Sequence, residues 1–458
     1  MEEFYGSCHN HTDRSNFRLR DSTNQLDQLC WYAAKELRHN FIAITDHETV
    51  STAIDCQFVE AEIRKEFPDF KVIRGNEIYL CRNGLNKENY ERGKDKFWHF
   101  ILLARDPEGH KQIRELSTRA WLRAIELNRM KRVPTYYQDL IDIVGKNPGH
   151  VIFSTACLGS FPAHLALDYQ KNPSPENYEY LKGWFLQMIE ICGKENFFLE
   201  TQPSHNKEQI IVNNIYDILS KDLKIPVVIS LDAHYLKKED QAIHHAFLTS
   251  QSGERETAEF YASTYMMSRE EIHSYMDKYL GAETVSNWMN NTKLIYDMCE
   301  DYDLTKSLHI PYLPLTINTI SENDYLEFKD KIKELEYFYT SPYQPDRDMA
   351  AAIVTKIKSD REQYDNQATF EMIDDNLLAI RVTSDKQNTR WSAYLLNMRD
   401  YIDVIWNRGN SLVGPTRGSG GGFLLLQMLD TTQVNPLKEK APLRSWRFLN
   451  PERASVLD

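Results

Sequence analysis

At 458 residues the chain is longer than one hydrophobic core usually supports, so about two to four domains are expected. Its 41% hydrophobic and 12% aromatic content is that of a folded protein. No run approaches the roughly 18 apolar residues of a membrane span, and the acidic start MEEFYG is no signal peptide, so the expected location is the cytoplasm. A net charge of −13 excludes nucleic-acid binding by bulk charge and leaves that task to a local basic surface or to another polypeptide. The seven cysteines are scattered without CxxC spacing, which fits a reducing compartment.

In chain order, the first feature is GSCHNHTDRS, where His9 and His11 stand two residues apart and so share one face of a strand. Apolar runs then recur: FIAIT (41–45), KVIRG (71–75), FILLA (100–104), HVIFS (150–154), FFLET (197–201) and IPVVIS (225–230). Helical patterns over 24–38, 55–67, 109–128, 176–192 and 207–221 separate them. Alternating strands and helices without a dinucleotide glycine signature predict a parallel α/β barrel with its chemistry at the carboxyl ends of the strands. From 252 to 310 the pattern is helical and polar, and 322–372 is charge-rich, with SPYQPDRD expected to link helices. RWSAYLLNMRDYIDVIWNRGN predicts one amphipathic helix ahead of the glycine-dense GPTRGSGGG.

Five of the six apolar runs share one property: a residue able to bind metal stands beside each. His47 follows the first, Glu77 the second, Cys157 the fourth, Asp232 and His234 the last, and His99 precedes the third. With His9, His11 and an aspartate of the first loop, Asp21 rather than its rival Asp13, nine side chains converge on one barrel mouth. Imidazole, carboxylate and thiolate suit zinc, manganese or iron. Nine ligands exceed what one tetrahedral ion needs, so two or three ions are expected, with phosphoester hydrolysis as the reaction class. His39, His244 and His245 fall off this pattern and are expected to be solvated, and Cys8 points away from the ligand face.

HNHTDRSNFRLRDS, ITDH, GNEIY, HFILLA, ACLGS and SLDAHYLKKEDQAIHHAFL together resemble the polymerase-and-histidinol-phosphatase (PHP) domain, in the form found at the N-terminus of bacterial DNA polymerase III alpha subunits. FFLETQPSHNKEQIIVNN is similar to the same branch. The resemblance implies a distorted TIM-like (β/α)7 PHP barrel over 1–255, then a mostly helical region and an incomplete α+β palm over 256–458. It also implies that all nine family metal ligands are present, with His11, Asp232 and His234 in catalytic roles. Complete ligand sets in this family go with metal-dependent 3′–5′ exonuclease activity.

WNRGNSLVGPTRGSGGG and TTQVNPLKEKAPLRSWRFLNPERASVLD resemble the palm of these polymerases. The resemblance implies nucleotide binding by Arg417, Gly418, Ser419 and Arg447, with Arg453 matching a further family arginine. Thr416, Phe423 and the Ser445-Trp446 pair depart from the family pattern. Asp458 matches the first aspartate of the magnesium-binding pair, and the second lies beyond the sequence. The expectation is therefore the N-terminal piece of a split, phage-type polymerase. It would extend primer-template DNA with dNTPs only with a C-terminal polymerase chain, alongside other replisome proteins. The alternatives are a free-standing PHP phosphoesterase or exonuclease, and a metal-stabilised scaffold without turnover.

Overall fold

The computed structural model describes residues 4–17, 20–127, 130–250, 260–306, 309–315, 319–438 and 447–450. The chain divides into two compact units, Met1–Thr305 and Lys306–Asp458. In the first, seven strands neighbour one another in chain order: β1 (Gly6–Ser7), β2 (Phe41–Ile44), β3 (Lys71–Cys81), β4 (Trp98–Ala104), β5 (Val151–Ser154), β6 (Phe197–Thr201) and β7 (Val227–Ile229). All neighbouring pairs are parallel except those of β4, which runs antiparallel to both β3 and β5. Beyond the first and last strands, His11 N donates to Ala233 O at 3.0 Å and Asp232 N to His9 O at 2.9 Å. These two bonds bring the ends of the sheet together into a nearly closed barrel.

The runs are apolar throughout because both faces of a parallel strand are covered. Phe41, Ala43, Ile73, Ile101, Ile152 and Phe198 fill the barrel interior, where Cys8 also lies. The alternate residues, such as Ile42, Val72, Phe100, Phe153 and Leu199, pack outward under the helices. Gly6 is required by this packing: a Cβ there would fall 2.2 Å from the Phe41 ring. The helices Pro107–Leu122, Phe161–Lys171, Pro175–Cys192 and Lys207–Leu223 start at Asp106, Ser160, Ser174 and Asn206, whose side chains accept from first-turn amides.

Three local expectations change. The helix expected over 109–128 ends at Leu122, where the Arg123 guanidinium is held by Asp139 at 2.9 Å and stacked on Tyr136, and Ile125–Leu127 pairs antiparallel with Met130–Arg132. The helices Arg269–Leu280, Ala282–Asn290 and Thr292–Met298 join the first unit: Ile272, Met276 and Val285 enter the outer core, while Ile295 and Cys299 enter the barrel interior. That unit thus runs about 50 residues beyond position 255. In SPYQPDRD only the first residues link helices, since Gln344–Ser359 is helical and Pro345 lies in its first turn, where no amide hydrogen bond is lost.

His39, expected in solvent, is buried, and its Nε2 donates to Met267 O at 3.0 Å. Burial, with Arg269 nearby, pushes its pKa down to about 3. The folded state therefore holds His39 neutral while the unfolded chain protonates near pH 6.5. The stability this contributes is complete above pH 6.5 and is lost as pH falls toward 3. Between pH 7 and 5, wild-type protein should lose about 2 kcal/mol more unfolding free energy than His39→Gln, as measured by urea titration. Parallel losses in the two proteins would refute this.

The second unit is built from helices including Glu322–Phe328, Gln344–Ser359, Gln367–Lys386 and Trp391–Asn407, the last matching the amphipathic stretch read from sequence. Phe328, Ile353, Leu377, Leu395 and Phe423 share its core. No strand occurs among the described residues of this unit.

Candidate metal centre

All nine residues expected to bind metal meet at one mouth of the barrel. The antiparallel β4 explains why His99 sits at the start of its strand while His47, Cys157, Asp232 and His234 follow theirs: the start of β4 lies beside the ends of its neighbours. Glu77 lies within β3, which extends to Cys81 instead of ending at Gly75, and pairs opposite Ile101. Non-glycine residues with positive φ mark the loops at this mouth: Glu48 (55°) after His47, Ala156 (58°) before Cys157, and Asp232 itself (50°). Such backbone persists where the surroundings enforce it and clusters at functional sites.

Three ligand triads overlap: His11–His47–His234, His9–His11–Glu77 and Glu77–His99–Cys157, the donor atoms of each lying within 4.8 Å of one another. His11 belongs to two of them, and so does Glu77. His9 Nε2 is 2.9 Å from His11 Nε2, and Asp232 Oδ1 is 3.2 Å from both. Glu77 places Oε1 2.7 Å from His99 Nδ1 and Oε2 3.5 Å from His11 Nε2, with His47 Nδ1 against Oε2. Cys157 Sγ is 3.3 Å from His99 Nδ1, and Asp21 Oδ2 lies 3.2 Å from His47 Nε2 and 3.8 Å from His234 Nε2. Asp13 takes no part; its carboxylate accepts from Gln25.

The donor set fits divalent ions. Asp21 Oδ1, both oxygens of Glu77 and Asp232 Oδ1 are buried without a hydrogen-bond partner, although imidazole nitrogens lie nearby. Buried carboxylate oxygens left without donors are costly unless a cation satisfies them. Ligands about 2.1 Å from a shared tetrahedral ion lie about 3.4 Å apart, close to the spacings observed. The electrostatics agree. Burial pushes His9 down, but Asp232 and Glu200 outweigh it and carry the pKa to about 10. Burial raises Glu77, yet His99 and His47 hold it well below the usual carboxylate range. Burial, with Asp232 and Glu77 beside it, pushes the Cys157 thiol up, so ligation there must displace a proton.

The far nitrogens of three histidines are already engaged. His9 Nδ1 faces Glu200 Oε1 at 2.7 Å, His11 Nδ1 faces Ser15 Oγ at 3.0 Å, and His234 Nδ1 donates to Asp232 O at 2.7 Å. This leaves Nε2 of each for a ligand. Asp46 accepts from Ser15 Oγ, Thr12 N and Thr52 Oγ1 and so braces the loop behind His11. His244, expected in solvent, is buried and donates to Asp21 O at 2.6 Å, fixing the loop that carries Asp21, whereas His245 is exposed. Glu200 and His244 were missed from sequence. The available signal for Glu200 was an acidic residue at the end of an otherwise apolar strand.

In the second unit, Arg417 and Gly418 are exposed and Ser419 is half-buried, at the start of a tight turn over Gly418–Gly422. Gly418 has φ +65°, and a side chain there would meet open space. Phe423, a departure from the expected pattern, is fully buried and packs on Phe448 at 5.1 Å, which brings the segment carrying the exposed Arg447 against this turn. Asp458, Ser445, Trp446 and Arg453 lie outside the described residues.

The barrel with its ligand-lined mouth and the helical second unit agree with two family matches. Residues 7–204 match the PHP domain, and residues 347–458 match the bacterial DNA polymerase III alpha NTPase domain. These stretches carry the chain's likeness to the PHP and DNA polymerase III alpha families. It is 36% identical over 472 residues to the probable DNA polymerase YorL of Bacillus subtilis and to the DNA-directed DNA polymerase of Bacillus phage SPbeta, covering 98% of this chain and 36% of each relative. It is 25% identical to DNA polymerase III subunit alpha of Aquifex aeolicus over 471 residues, all of this chain and 36% of the relative. The chain thus spans about a third of the length of these relatives. No helix among the described residues is long and apolar enough to cross a membrane.

Proposed function

We propose that the barrel mouth is a multinuclear metal site that hydrolyses phosphoesters, removing nucleotides from DNA 3′ ends, within the N-terminal portion of a DNA polymerase III alpha-like enzyme of the cytoplasm. The observation that carries this reading is the run of three overlapping triads, set among buried oxygens of Asp21, Glu77 and Asp232 that have no hydrogen-bond partner. His9, His11, Asp21, His47, Glu77, His99, Cys157, Asp232 and His234 would hold two or three ions of zinc, manganese or iron. Bound there, these ions supply Lewis acidity toward a phosphoester and acidify a water. His11 and Glu77, each shared by two triads, would serve neighbouring ions, and Asp232 and His234 would complete the ligand set on the substrate side. Side-chain exposure at His99 is 24%, against 3% or less for His9, His11, His47, Glu77, Asp232, Asp21 and His234, so the substrate approaches from its side.

We assign residues 1–255 to the PHP domain, with the helices at 269–298 packed on its barrel, and the remainder of 256–458 to the N-terminal part of a polymerase palm with helical insertions. Arg417, Gly418, Ser419 and Arg447 would contact the incoming nucleotide. Asp458 would contribute to a magnesium site completed by a C-terminal polymerase segment, supplied as a partner chain or as further sequence, with primer-template DNA held by the assembly. The support for this is the polymerase relatives, whose remaining two-thirds this chain does not match.

The decisive assay uses 5′-labelled DNA with manganese or zinc. The chain should shorten the DNA from its 3′ end, and combined His11→Ala and Asp232→Ala should lower the rate by about 10³ or more, a loss of several kcal/mol of metal-based stabilisation. Activity that survives both changes would remove the assignment.

A further inference from the structure

Resting on the metal-centre reading above, we propose that Glu200, which is not among the nine ligands, is the positioning residue of this centre: it orients His9 and strengthens it as a ligand. Glu200 is the penultimate residue of β6 and is 1% exposed. Its Oε1 lies 2.7 Å from His9 Nδ1 and accepts from Gln202 Nε2 at 3.1 Å, while Oε2 accepts from Ser154 Oγ at 2.7 Å. Its backbone amide is fixed as well, donating to Thr155 Oγ1 at 2.8 Å. Both carboxylate oxygens are thus held by side chains from strand ends, and the imidazole they face is that of His9.

A buried carboxylate is an expensive way to fill a barrel wall, since an apolar residue of similar volume would pack there without desolvating a charge. The geometry supplies the compensation. With Nδ1–H donated to Glu200, the His9 ring is held with Nε2 toward His11, Asp232 and Glu77. A carboxylate behind a ligating imidazole fixes its tautomer and raises its basicity, and losing such a partner typically costs about 10–100-fold in metal affinity. Glu200 acts on the ion of the His9–His11–Glu77 triad through His9, and its hydrogen bonds reach no member of the Glu77–His99–Cys157 triad.

Cobalt(II) titration of the full chain separates these positions, because a thiolate-to-cobalt charge-transfer band reports only the ion at Cys157, while calorimetry counts every ion. Glu200→Ala should weaken one ion about 10–100-fold and leave the thiolate band titrating as in wild type. Glu200→Gln, which keeps an oxygen for His9 but no charge, should lose only a few-fold at that ion. Wild-type affinity at every ion in Glu200→Ala overturns the proposal, as does loss of all ions together, which would mark a purely structural role. Should the alanine variant not fold, the glutamine variant decides: a few-fold loss confined to one ion supports the proposal and no change overturns it. A wild-type chain that takes up no cobalt defeats the metal-centre reading itself, an outcome distinct from any result on Glu200.

Discussion

Glu77→Ala should reduce the metal bound per chain from two or three ions to one and cut exonuclease activity by about 10³ or more. The reason is its position. Glu77 belongs to two of the three triads, and its two oxygens face His99 and His9 on one side and His47 and His11 on the other. Without it, four imidazoles are left around a space with no anion, and the positions at His9–His11 and His99–Cys157 lose the ligand they share. The position at His11–His47–His234 keeps all three of its members and should retain its ion. A shared metal ligand contributes several kcal/mol to stabilising charge in a phosphoryl transition state, which sets the size of the rate loss. Glu77→Gln keeps an oxygen but no charge and should fall between wild type and Glu77→Ala. Elemental analysis and the labelled-DNA assay on the same preparations test this, and full metal content in Glu77→Ala would contradict it.

The convergence of this side-chain cluster was legible in the sequence because candidate metal ligands are particular residue types, and a barrel gathers residues at the ends of its apolar runs. His9 and His11, His47, Cys157 and Asp232 each followed from that rule. The residues that were misread are those whose role depends on what packs against them. His39 and His244 lie in polar, helix-rich stretches, and nothing local distinguishes a solvated imidazole from one that donates to a distant carbonyl such as Met267 O or Asp21 O. Glu200 was hidden for the opposite reason: a strand-end carboxylate reads as a cap until the ring it faces is known. The direction of β4 could not be inferred either, since an isolated run of apolar residues carries no sense of parallel or antiparallel pairing. The helices at 269–298 show apolar residues at helical spacing, Ile272 with Met276 and Val285 with Met289, but periodicity does not say which core they join.

Removal of metal should lower the melting temperature of the barrel unit by on the order of 10 °C. An ion held at 1,000 times its dissociation constant stabilises the folded state by about 4 kcal/mol. A domain of this size shifts by roughly 2 °C per kcal/mol, so two ions suffice. The effect is reinforced because Asp21, Glu77 and Asp232 would be left with buried oxygens that no protein donor satisfies. It should shrink as pH falls, because protons compete for the imidazoles and carboxylates and, at Cys157, for a thiol that burial already favours. Scanning calorimetry with and without a chelator, repeated on Glu77→Ala, checks both points: the variant should show less than half of the wild-type shift. Equal melting with and without chelator in wild type would rule out tightly held ions. A large shift in a protein that leaves DNA 3′ ends intact would instead favour ions that only brace the barrel. The thermal and the nuclease measurements on one preparation therefore separate an active centre from a metal-stabilised scaffold.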